Sequence, residues 1–141
     1  MNIPVLVLLA FAMWTLLVLC AGVGVYRWNH ILTGRTSVAH WWTGKAKGSE
    51  WYQRATRAHM NCVENLPVYG AIVVALSVAG LQSHLIDWLS VFILAARIGQ
   101  TTVHLSMPLT NAVASLRFAL YFAQMISMIA MGVAAAAALI T

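Results

Sequence analysis

Residues 57–67 read RAHMNCVENLP, and they run without a break into VYGAIVVALSVAG, residues 68–80. The second stretch is apolar enough to sit in lipid, so Arg57, His59, Asn61, Glu64 and Asn65 lie within a few residues of a segment that avoids water. Burying such groups without partners costs on the order of several kcal/mol each. A helix turns about 100° per residue, which puts Arg57, Asn61 and Glu64 on one narrow stripe, with Arg54 beside it and His59 pointing elsewhere. The fold follows from what this stripe faces.

The composition sets the solvent. Hydrophobic residues make up 62% of the chain and charged residues 8%, against about 45–50% and 25% in soluble domains. The 141 residues form one unit, and four segments are long enough to cross a hydrocarbon core that needs about 20 apolar residues. They are 3–26, 52–79, 85–106 and 111–140. The expectation is an all-α, integral-membrane four-helix bundle in a single domain. The first segment has no basic residue before Tyr26 and outruns a signal-peptide core, so it reads as a retained helix.

Of eight Lys and Arg residues, six fall between Arg27 and Arg57: Arg27, Arg35, Lys45, Lys47, Arg54 and Arg57. The connection near Gln82–Asp87 has none. The positive-inside rule then puts the first loop in the cytoplasm, although the short third connection, MPLTN, carries no charge. The net charge of +5 suits an acidic lipid surface or an anionic small substrate rather than nucleic acid. Cys20 and Cys62 lack the spacing of a disulfide framework or a metal site, and no metal is expected.

The polar stripe has counterparts. Arg97, Gln100 and His104 follow an i, i+3, i+7 spacing on the third helix, and Arg117, Tyr121 and Gln124 follow i, i+4, i+7 on the fourth, so each set shares one helix face. With the topology above, Glu64 lies about 15 Å along the second helix from Arg54, Arg97 about 13 Å before Ser106, and Arg117 about 9 Å beyond Asn111. All three stripes fall in the same half of the bilayer and can meet. One reading has Glu64 pairing with an Arg to fix packing. The other starts from three Arg residues facing one Glu, an excess of positive charge that asks for an external anion. The tryptophans read as interfacial or core residues, Lys45 and Lys47 as solvated loop, His30, His40 and His84 as surface, and Cys62 as packing.

These residues carry a family resemblance. Arg57, Asn61, Glu64 and Pro67 resemble the second-helix signature of the membrane-associated proteins in eicosanoid and glutathione metabolism, the MAPEG family. The third-helix stretch ARIGQTTVHL, residues 96–105, is similar to its prostaglandin E synthase branch. The resemblance spans essentially the whole chain. It implies a homotrimer of four-helix bundles with glutathione between neighbouring subunits, open to the cytoplasm. Arg57, Asn61 and Glu64 would then belong to the glutathione site, with Arg97, Gln100 and His104 lining it from the third helix and Tyr121 offering a hydroxyl from the fourth. Guanidinium groups would clamp the two carboxylates of glutathione while Glu64 takes its amine or orients an Arg.

Two departures stand out. No Arg occurs between Leu105 and Val113, where eicosanoid-processing relatives place the cation that stabilises the glutathione thiolate, and Met60 replaces a further Arg of the prostaglandin branch. Either another cation lowers the thiol pKa, Arg117 first and Arg97 second, or that chemistry is weak or absent. The resemblance therefore implies a membrane glutathione transferase or peroxidase, with glutathione as co-substrate, acting on lipophilic electrophiles dissolved in the membrane. The rivals are a non-catalytic glutathione- or lipid-binding member and a four-helix membrane scaffold. A multi-pass protein of a bacterial inner membrane is the expected setting.

Overall fold

The computed structural model describes residues 2–42 and 48–140, which are helical apart from their turns. Four long helices follow in order: α1, Ile3–Leu32; α2, Glu50–Val78; α3, His84–Ser106; and α4, Asn111–Ile140. Each start is written into the sequence. Asn2 caps α1 by accepting from Val5 N at 3.3 Å, with Pro4 in the first turn. Ser49 caps α2 through Tyr52 N at 3.2 Å, and Ser83 caps α3 through Leu85 N at 3.1 Å. Gly80, at φ +63°, closes α2 in a left-handed turn in which Leu81 N returns to Leu76 O at 3.1 Å.

The first helix extends six residues beyond the expected end at Tyr26. Arg27 does not stop it, because its Nε donates to Tyr52 Oη at 2.7 Å and its guanidinium lies against the Trp41 ring at 5.6 Å. Between Val18 and Gly24 the helix widens into a π-helical segment. There α1 and α2 approach closely: a Cβ on Gly22 would come within 3.3 Å of Ala55 Cβ. Tyr26 stacks on Tyr52 at 4.5 Å, and its hydroxyl accepts from Ser49 N at 3.1 Å, so the loop's return is pinned to both helices. Lys45 and Lys47, read as solvated loop, lie outside the described residues.

Three of the helices, α1, α2 and α4, are long and apolar enough to cross a membrane. At 30 residues α1 is about 45 Å long, against a hydrocarbon core of about 30 Å. The third helix, read as a further span, is shorter and more polar, because Arg97, Gln100, Thr101 and His104 occupy one side of it; all four are buried against neighbouring helices. The pattern of exposure is that of a bundle in lipid. Leu9, Val74, Phe118, Ile129 and Val133 are more than half exposed, while Ser90, Gln124 and Ser127 are buried. The core, around Phe11, Tyr69, Val73, Ile93 and Met131, fills the end away from the first loop. In lipid such a core is held by close packing rather than by exclusion of water.

Candidate functional site

The charged residues gather at the end of the bundle that bears the first loop. An open cleft of about 350 Å³ lies between the first turns of α2 and the α3–α4 connection, lined by Glu50, Gln53, Arg54, Arg57, Pro108, Leu109 and Arg117. Three guanidinium groups thus share a small space with one carboxylate. Arg54 Nη1 approaches Glu50 Oε2 at 3.8 Å, but the Glu50 side chain is 93% exposed, so the pair is weak. It is the one ion pair among the described residues. Arg54 Nε and Arg117 Nε are buried and have no hydrogen-bond partner.

Arg117 is nearly buried. Its Nη2 lies 3.3 Å from Val103 O, 3.5 Å from His104 O and 3.1 Å from Met107 O, the carbonyls that close α3. A helix C-terminus leaves several carbonyls without intrahelical donors and carries partial negative charge, so a guanidinium is well matched to it. Among the described residues Arg117 forms no ion pair with Glu64.

Below it lies a second polar layer. Arg97, 1% exposed, donates from Nη1 to Gln100 Oε1 at 2.9 Å and sits over the Phe11 ring at 5.6 Å. Gln124 Nε2 reaches the same Gln100 oxygen at 3.3 Å, and Gln100 Nε2 donates to the main-chain carbonyl of Arg117 at 3.1 Å. Between α2 and α3, Asn61 Nδ2 lies 3.3 Å from His104 Nε2. With the amide placed this way, that ring nitrogen accepts and the proton sits on Nδ1. Cys62 is packed in the core, 3.8 Å from Thr101 Oγ1, which also takes the Trp14 indole N–H at 3.4 Å.

The stripes expected to converge therefore separate into parts. Arg57 and Arg117 share the cleft, Asn61 meets His104, and Arg97 meets Gln100, is 1% exposed and does not line the cleft. Arg57 and Glu64 stand exposed on one face of α2 with Met60, Val68, Ala71 and Val74. Glu64 forms no ion pair within the described residues of the chain. Tyr121 is half-buried and lines an apolar groove of about 500 Å³ between α2 and α4, together with Asn65, Ile72, Met125 and Met128. Sequence reasoning passed over Arg54 and Gln124 as site residues, although each sits on a polar stripe three residues from a named member. Among the described residues no three His, Cys, Asp or Glu side chains are placed to hold a metal.

A helical bundle with three helices long and apolar enough to span a membrane, and a guanidinium-rich cleft at one end, has the architecture of an integral-membrane protein. The MAPEG family profile matches residues 4–137, nearly the whole chain, and the protein belongs to that family. The family includes glutathione transferases and related membrane proteins, and its members use glutathione. No curated protein matches this chain.

Proposed function

We propose that the protein is a membrane-bound glutathione transferase or peroxidase that takes glutathione from the aqueous phase and delivers its sulfur to a lipophilic electrophile or hydroperoxide in the bilayer. The observation that carries this reading is the cleft in which Arg54, Arg57 and Arg117 face a single, mostly exposed carboxylate. Glutathione is a tripeptide with two carboxylates and one ammonium group, and guanidinium forks bind carboxylates bidentately. The donor set fits it. Arg57 and Arg54 would clamp a carboxylate at the cleft mouth, Asn61 would be available one turn deeper, and Glu64 would receive the ammonium from the exposed α2 face. The adjoining α2–α4 groove, with Tyr121 at its polar end, would hold the apolar second substrate.

The same exposed α2 face mixes Arg57 and Glu64 with Val68, Ala71 and Val74 along a helix that crosses the membrane. Charged side chains at that depth need a protein partner, and Ala71, Ala75 and Ala79 allow close helix approach. A homotrimer that covers this face fits both needs, with the first loop cytoplasmic in a bacterial inner membrane. The test is retention on immobilised glutathione in mild detergent, followed by turnover of a chloronitrobenzene and of cumene hydroperoxide. Retention with turnover supports the enzyme. Retention without turnover supports a binding protein. Failure of both, with folded protein, leaves the charges as packing.

A further inference from the structure

Arg97 bears a full charge in the middle of the bundle, and no carboxylate of the described chain lies within ion-pair distance of it. It is 1% exposed, it does not line the cleft, and Phe11 of α1 covers its guanidinium. Its Nε and Nη2 have no hydrogen-bond partner. Its single hydrogen bond goes to Gln100, one turn away on the same helix. A cation buried on such terms is costly to keep, and contact with a ligand does not account for it.

We infer that Arg97 is a positioning residue that acts through Gln100 to hold Arg117 in the anion cleft. The inference rests on the reading of that cleft as the glutathione site. An amide side chain can be turned either way about its terminal torsion, and its neighbours decide which end points where. Here Arg97 Nη1 and Gln124 Nε2 both donate to Gln100 Oε1. That leaves the Gln100 NH₂ aimed at α4, where it donates to Arg117 O. The reversed amide would set its NH₂ against a guanidinium that cannot accept. Arg97 thereby selects the orientation that ties the α4 main chain to α3 at residue 100. The Arg117 side chain is tied to α3 a second time, through the carbonyls of Val103, His104 and Met107. Two attachments, one through main chain and one through side chain, fix where Arg117 stands in the cleft.

The experiment uses the full chain in lipid nanodiscs, with arginine labelled in ¹⁵N. The Arg117 Nε–H resonance is assigned by its loss in Arg117→Met, and its exchange with solvent is measured beside glutathione affinity and thermal stability. Arg97→Met and Gln100→Glu should each speed that exchange and weaken glutathione binding by about tenfold, the scale of one lost hydrogen bond. Gln100→Glu keeps the acceptor for Arg97 and removes the donor to Arg117 O, while Arg97→Lys should restore most of both readouts. Because Arg97 acts through Arg117, adding Arg97→Met to Arg117→Met should weaken binding no further. Arg97→Met should leave thermal stability equal or higher, since it removes an unpaired buried charge, whereas a merely structural Arg97 would lower it. Unchanged Arg117 Nε–H exchange in Arg97→Met and Gln100→Glu overturns the inference, as do losses that multiply in the double variant. Should Arg97→Met fail to fold, Gln100→Glu and Arg97→Lys decide the matter by the same readouts. If the wild type holds no glutathione, the functional reading falls, and the exchange measurement alone still decides on Arg97.

Discussion

Replacing Arg117 by Met removes a guanidinium and keeps a side chain of similar reach. In the native chain Nη2 alone faces three carbonyls at 3.1, 3.3 and 3.5 Å. One nitrogen has two hydrogens, so these contacts amount to two good bonds. Val103 O already accepts from Met107 N at 3.2 Å, which leaves His104 O and Met107 O as the carbonyls that lose most. Hydrogen bonds to a charged group contribute about 1.5–3 kcal/mol each, and a cation at a helix C-terminus adds about 0.3–1 kcal/mol. Two terms act the other way: the cleft is open, so the freed carbonyls regain water, and a largely buried charge is relieved of its desolvation. The net expectation is a loss of about 2 kcal/mol, with Arg117→Lys recovering about half through a point charge that reaches fewer carbonyls. Reversible unfolding in mixed micelles, followed by far-ultraviolet circular dichroism over a denaturing-detergent titration, measures it. A loss below about 0.5 kcal/mol, the scatter of unremarkable surface substitutions, would show that Arg117 does not close α3.

Three further outcomes can be measured. Glu64→Gln should weaken retention on immobilised glutathione more than it lowers stability, because Glu64 has no ion pair within the described residues; in the same micelle titration, a loss of about 3–5 kcal/mol with no separable binding defect would reveal a buried pair instead. Tyr52→Phe deletes the acceptor of Arg27 Nε at 2.7 Å and should cost about 1.5–3 kcal/mol, seen as protease sensitivity of the first loop before the helices unfold. Unchanged proteolysis would remove the anchoring role. A cysteine introduced at Lys45 should resist an impermeant maleimide in intact cells, and ready labelling from outside would invert the topology.

The four helices were legible because apolar runs of spanning length dominate the chain, and the caps at Asn2, Ser49 and Ser83 stand where polar residues precede those runs. The spacing of Arg57, Asn61 and Glu64 placed them on one α2 face, and hydropathy pointed the three stripes toward one end of the bundle. Periodicity says which residues share a face of one helix and nothing about how adjacent helices are rotated. It could not tell that Arg97 would sit beneath Phe11 while Arg57 stood open at the cleft. The carbonyls that hold Arg117 are equally invisible, since main-chain acceptors carry no residue signature. The extension of α1 to Leu32 was missed for a related reason: Arg27, Asn29 and His30 read as the start of a loop until a distant Tyr52 supplies a partner for the first of them.

The π-helical segment at Val18–Gly24 divides α1 into two phases. A π turn amounts to one residue slipped into an α-helical repeat, and one residue is about 100° of rotation. On the near side of the slip, Val7, Phe11, Thr15 and Val18 keep a steady face toward the core. On the far side, Tyr26, Arg27 and His30 meet Trp41 and Tyr52, and Tyr52 belongs to the same buried α2 stripe as Ala55 and Tyr69. The slip therefore acts as a phase correction: it returns α1 to one stripe of α2, at Tyr69, Ala55 and Tyr52, along a length over which an unbroken 3.6-residue repeat would drift away.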